Sequence, residues 1–295
     1  MQWISVTPAT LVFFDANGEI LYKVVGAPDA EQMVTYAKQA SAVNEMKLNN
    51  SWKTNGDNFR PYLEALATHQ PAEAGKIAAE YLRGLPIDDI HKAENWRLLA
   101  TYVKDVNDPC WQYVLNNIPY FSNEYSDLAF SLETVGEVVL QNAIASKNQL
   151  LLSSKTDLDI VVKRLQGDSS VTKDQLQLWN TVVYLEKTGD DAGYAKGLNT
   201  FLKKYAWDNS KVLTYYASKI LSGNYSSFAN ADAVRWAEQA LKFDDANYVA
   251  HWVLAIGYSK KKDMGKSNLA LQNFLRASTS DPQLSEKLNM LMYGY

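Results

Sequence analysis

Residues 247–282 read NYVAHWVLAIGYSKKKDMGKSNLALQNFLRASTSDP, and the fold turns on how their apolar positions are spaced. Leu254, Ala255 and Tyr258 recur at the intervals that place side chains on one helix face. A polar run from Ser259 to Asp263 interrupts the pattern, and Ala270, Phe274 and Ala277 resume it before Pro282. Two helices joined by so short a turn lie antiparallel. The same arrangement precedes it: Ala233, Ala237, Ala240 and Leu241 mark one helix, and Lys211 to Leu221, with Ala217 as its small residue, marks the helix before that. A weaker copy runs from Gln175 to Tyr205 through Trp179, Val183, Ala195 and Leu202. Small residues let the two helices of a pair close, and large ones fill the space between neighbouring pairs.

Upstream of these pairs the chain is helical from about residue 41. Helices are expected near 57–68, 71–83, 88–105, 109–117, 125–147, 155–166, 172–188, 191–205, 209–222, 230–243, 247–261, 266–279 and 283–292. Pro71 and Pro109 stand near starts, Asp88 and Asp174 in first turns, and Gly84, Gly167, Gly189 and Gly223 near ends.

The chain has 295 residues, 47% of them hydrophobic, which is enough for a real core. Its 29 basic and 33 acidic residues give a net charge of -4, so no broad positive field draws nucleic acid. Eight Trp and 18 Tyr suit helices packed through large side chains, and surfaces able to grip a partner. Cys110 is the single cysteine, which rules out an intrachain disulfide, a CxxC pair and a cysteine zinc site. It opens a helix in DPCWQYV and reads as a small buried hydrophobe, although a helix N-terminus favours a thiolate.

Apolar runs such as Leu11 to Phe14 fall far short of a membrane helix, and no export signal opens the chain. His69, His91 and His251 are scattered without ligand spacing, and no phosphate-binding glycine loop, nucleophile elbow or calcium loop occurs. No cofactor or metal site is therefore expected. The pairs Asp190-Asp191 and Asp244-Asp245 fall in interhelical turns, and Lys260 to Lys262 close a helix where positive charge suits the dipole.

The N-terminal end has a different pattern. Residues 6–26 read VTPATLVFFDANGEILYKVVG. ATLVFF and EILYKVV have strand character, and DANG between them can reverse the chain tightly, with Gly18 the residue most tolerant of positive φ. Gly26 ends the second strand, and Pro28 with Asp29 opens a helix carrying Met33, Val34 and Ala37 on one side. A hairpin and one helix are too little for an independent core.

The spacing in residues 209–282 resembles the tetratricopeptide repeat, with about three extra residues in the last turn. Thr7-Pro8, the strand, the D-x-N-G-E turn, the second strand ending Val-Gly-Ala and the helix together resemble the C-terminal part of a thioredoxin domain, over residues 5–39. The resemblance implies that Pro8 is a cis-proline, that Thr7 is its substrate-facing neighbour and that Gly26 is the glycine after the last strand. The order of parts is similar to that of bacterial thioredoxin-family proteins with helical C-terminal extensions, and EYLRGL, AENWRLL and YVKDVNDP fit such an extension. That likeness implies the cell envelope for the intact relatives. Their WCxxC half has no counterpart here, and thiol-disulfide exchange needs those thiols.

The expected fold is thus mainly α: a tetratricopeptide-like array over 41–295, preceded by a β-hairpin and helix remnant of a thioredoxin fold over 1–40. The expected function is non-catalytic binding of a protein or peptide. Tyr215, Tyr248, His251 and Trp252, on or beside first helices of the repeats, are candidate partner-binding residues, with core packing the commoner reading for each. The edge strand Thr10 to Phe14, without its central-sheet neighbour, would be covered by helices, disordered, or paired with a second copy in a homodimer. Two alternatives stay open. The chain could be the later part of a thiol-disulfide oxidoreductase whose CxxC lies upstream, or the hairpin could be an unrelated cap on the helical array.

Overall fold

A computed structural model describes residues 9–51, 56–223 and 230–278. Among them are a two-stranded antiparallel sheet and fourteen α-helices, so the protein is mainly helical with an N-terminal β-hairpin, as expected. Thr7, Pro8, Pro282 and the helix expected at 283–292 lie outside the described residues. The chain divides into two compact units, residues 1–138 and 139–295. Among the described residues no helix is long and apolar enough to cross a membrane.

In the first unit, β1 (Thr10–Phe14) pairs with β2 (Ile20–Val25), Thr10 facing Val25 and Phe13 facing Tyr22, with an irregular register before Phe14. The turn is built by Asp15, whose carboxylate accepts the backbone N–H groups of Asn17 at 2.8 Å and Glu19 at 2.9 Å. Gly18 takes φ 82° there, where a side chain would be strained. Lys47 closes the turn from outside through ion pairs to Asp15 and Glu19.

Helix α1 (Ala30–Asn49) starts at a reciprocal cap: Asp29 accepts from the Gln32 N–H at 2.8 Å, and the Gln32 side chain accepts from the Asp29 N–H at 3.0 Å. It runs on through residue 40. Its buried residues are Ala40 and Val43, whereas Met33, Val34 and Ala37 are exposed, so the face expected from its first turns is not the packed one. The reason is length, because the later turns reach β2 and α2 (Gly56–Ala67), where Val43 meets Leu21 and Ala65. Thr68, just past α2, accepts the outward N–H of Lys23 at 3.1 Å. The free edge of β2 is thereby capped by a side chain rather than a strand.

Helix α3 (Pro71–Arg83) follows. The single helix expected at 88–105 is instead a 3-10 turn, Ile87–His91, and α4 (Ala93–Tyr102). Lys92 breaks it with extended backbone at ψ 136°, and the Asn95 amide donates to the Asp89 carbonyl at 2.8 Å across the break. After α5 (Pro109–Asn116) comes α6 (Ile118–Glu124), which no apolar period announces, and then α7 (Leu128–Ser146). Pro119 occupies the first turn of α6, where the missing N–H costs nothing. Trp96, Trp111 and Phe121 are fully buried, and the indoles donate to Asp127 Oδ1 at 3.1 Å and the Val103 carbonyl at 2.8 Å.

The second unit holds α8 (Leu152–Leu165), α9 (Lys173–Thr188), α10 (Asp191–Tyr205), α11 (Ser210–Ser222), α12 (Asn230–Ala240), α13 (Tyr248–Lys260) and α14 (Met264–Ser278). Thr172, Asp190, Asn209 and Asn247 cap α9, α10, α11 and α13, each accepting from the N–H three residues on. Helices α9–α10, α11–α12 and α13–α14 form antiparallel hairpins, and α13 also packs on α12 and α11. Their buried residues make one core that includes Val182, Leu198, Leu213, Trp236 and Val253. Of the small residues picked out by spacing, Ala217, Ala233, Ala237, Ala240, Ala255 and Ala270 are buried in it, and Ala195 and Ala277 are half-buried. Gly257 joins them: a Cβ there would overlap Val234 Cγ2, so α12 and α13 meet at a point with no room for a methyl.

Candidate functional site

The second unit carries a solvent-open groove of about 460 Å³ between α8, α9, α10 and α11. Its positions follow from helical spacing. Leu176 and Trp179 project from one face of α9, and Val212, Tyr215 and Tyr216 from one face of α11, each set three or four residues apart. Phe201 of α10 forms its floor, with its ring 5.0 Å from Trp179, and Tyr216 lies 6.1 Å from the same indole in an edge-on arrangement. Tyr215 stands edge-on to Tyr216 at 5.0 Å and is 59% exposed. The wall is almost wholly apolar, and its polar members are Gln175, Lys163 and Lys211. Burial, with Tyr215 and Glu186 adding to it, pushes the Tyr216 hydroxyl up to about 12, so it stays a neutral phenol.

A rigid aromatic trough with an exposed tyrosine at its lip can hold apolar side chains at little entropic cost. Its lining contains no Ser, Thr, Cys, His, Asp or Glu. Of the four residues expected to bind a partner, Tyr215 lines the groove and the other three do not. Tyr248 is half-buried at the start of α13, His251 has Nε2 3.0 Å from the Asp245 carbonyl, and Trp252, 44% exposed, lies 5.3 Å from the Phe274 ring. Trp179 was visible in the sequence only as a packing residue. Phe201, Tyr216, Lys163 and Lys211 gave no signal, because they meet only when four helices are assembled.

Cys110, His91 and His69 all sit in structural contacts. Cys110 is 1% exposed, and its backbone N–H donates to Asp108 Oδ1 at 2.9 Å. Asp108 is itself buried and accepts from Arg83 Nε at 3.0 Å and Nη2 at 2.7 Å. Burial, followed by the charge and hydrogen bonding of Asp108, pushes the thiol up to about 12, and Arg83 pulls it down less strongly. The helix N-terminus that could have activated Cys110 is thus answered by its own capping carboxylate. His91 stacks on Tyr120 at 4.0 Å with Nε2 3.2 Å from the Tyr113 hydroxyl, which donates to Asp88 at 2.9 Å. His69 lies beside Thr68, against β2, where burial holds its pKa below the usual value. Among the described residues no three His, Cys, Asp or Glu side chains converge in a metal-holding group.

Comparison of the chain with family models, curated proteins and solved structures returned no match. The class it can be assigned is the one its geometry defines: a mainly α-helical protein of packed helical hairpins with an N-terminal β-hairpin.

Proposed function

We propose that this chain is a non-catalytic protein-binding or scaffold module, with tetratricopeptide-like hairpins as its working part and the C-terminal remnant of a thioredoxin fold at its N-terminal end. The observation that carries the proposal is the aromatic groove of α9, α10 and α11, with Tyr215 standing exposed at its lip. Helical-hairpin arrays bind extended segments through such grooves, with buried aromatics as anchors. The remnant reading is supported by the strand, Asp-built turn, strand and capped helix in that order, and by apolar Phe14, Val25, Met33 and Val34 left facing solvent. A homodimer through the β1 edge belongs to the same reading, since β1 pairs with β2 alone among the described strands.

The test is a selection of random displayed peptides on the whole chain, with affinities of the winners measured by fluorescence anisotropy. Tyr215→Ala should weaken them by about tenfold or more, as removal of an interface anchor does, and leave helicity unchanged. Winners indifferent to Tyr215→Ala and to Trp179→Ala would count against the groove. The alternative, the later part of a thiol-disulfide oxidoreductase, draws on the same strand and helix order. It needs thiols from outside the chain, since a thiol raised to about 12 does not exchange at neutral pH. Insulin reduction by this chain should show no turnover, and turnover dependent on Cys110 would overturn the non-catalytic reading.

A further inference from the structure

The groove has charge of one sign only. Lys163 and Lys211 stand at its rim, and no carboxylate lines it, although the chain as a whole carries a net charge of -4. Neither lysine forms an ion pair within the described residues. Lys155, Lys173 and Lys219, on α8, α9 and α11, do find carboxylates, at 2.9 Å on Asp159, 2.6 Å on Asp157 and 2.6 Å on Glu186. Asp168 feels the charge of Lys163 without pairing to it. Lys211 lies in the first turn of α11, where the helix dipole disfavours a cation and where α11 has no acidic residue to offset it. The rim therefore holds two lysines without an ion pair among the described residues, about an apolar, aromatic floor.

We infer that the groove receives an extended peptide segment whose apolar side chains are flanked by aspartate or glutamate. This rests on the peptide-binding reading above and adds the chemistry of the ligand. A free small molecule fits less well, because such ligands need a cleft that covers about 70–90% of their surface, and this groove is open. An extended segment needs only alternate side chains covered, and its flanking carboxylates reach the rim. Lysines there set the partner's charge pattern and speed its approach, while Trp179, Phe201 and Tyr215 grip the apolar positions. Single-stranded nucleic acid also stacks on aromatics beside cations, but it needs a continuous basic track, and two lysines do not make one.

The experiment compares two peptide selections on the whole chain, one with the native groove and one with Lys163→Glu and Lys211→Glu together. Native winners should carry acidic flanks around apolar residues and bind more weakly as salt rises. The double reversal should weaken those winners by about tenfold or more, since facing like charges repel, and should select basic flanks instead. Lys163→Arg with Lys211→Arg should keep the native preference. Lys211 is exposed and Lys163 half-buried, and circular dichroism checks that each variant stays folded. Winners that depend on Tyr215 but show no acidic enrichment, or that ignore the reversal, would sink this inference and leave peptide binding standing. The absence of any winner sensitive to Tyr215→Ala would sink both. Displacement of the winners from the native groove by an oligothymidine probe, at lower concentration than by the peptides themselves, would overturn it in favour of nucleic acid.

Discussion

Iodoacetamide should alkylate Cys110 at pH 8 about 10³-fold more slowly in the folded chain than in the chain unfolded in urea. The factor follows from the thiol's surroundings. Its pKa is about 12 in the fold, against about 8.5 for a free cysteine, and only the thiolate is nucleophilic. At pH 8 that difference reduces the reactive fraction by about 10³, and the 1% exposure of the side chain slows encounter further. Mass spectrometry of the alkylated fraction over time measures it. Asp108→Asn removes the charge but not the burial, which is the larger cause, so it should recover only part of the rate. A native rate within about tenfold of the unfolded rate would refute the reasoning, and with it the argument that the only thiol is inert. The same shift has a stability consequence. The folded pKa lies above the unfolded one, so the contribution is intact below the unfolded value and is lost as pH rises from there toward 12. The slope is at most about 1.4 kcal/mol per pH unit, and it should vanish from the alkaline limb of Cys110→Ala.

Asp108→Ala deletes both the α5 cap and the acceptor for Arg83. Urea denaturation should show a loss of about 2–3 kcal/mol, and Asp108→Asn, which keeps one acceptor, should lose less. Gly257→Ala crowds Val234 where α12 meets α13. Overpacking of about 1–3 kcal/mol, less about 1 kcal/mol of helix propensity, leaves a net destabilisation that Val234→Ala should relieve in a double-mutant cycle. His69 has a folded pKa below its unfolded value because of burial, so its contribution is present above about 6.5 and lost as pH falls through the lower folded value. Urea midpoints measured between pH 7.5 and 5 should fall for the native chain, and less for His69→Gln.

The legible parts were those governed by neighbours in sequence. DANG predicts its turn because Asp15 can accept N–H groups two and four residues on, and the structure uses both. The helix starts near 172, 191, 209 and 247, which the structure caps with Thr172, Asp190, Asn209 and Asn247, and the buried alanines of α11 to α14 follow from the same local rules. The break at Lys92 was not legible, because residues 88–105 read as one helix until the Asn95 amide takes the Asp89 carbonyl. Nor was the packed face of α1, since only the position of β2 and α2 makes Ala40 and Val43 the inner residues.

The sequence by itself determined the helical class, the hairpin and the lack of a dithiol, because periodicity, turn chemistry and the count of one cysteine depend on no distant contact. Only the tertiary structure decided what the remaining thiol and the aromatics could do. Burial among packed helices, with the capping carboxylate of Asp108, suppresses Cys110 against a weaker opposing pull from Arg83, and Trp179, Phe201 and Tyr215 become a groove only when their helices pack. Burial and convergence are properties of several elements at once, and spacing along one chain does not contain them.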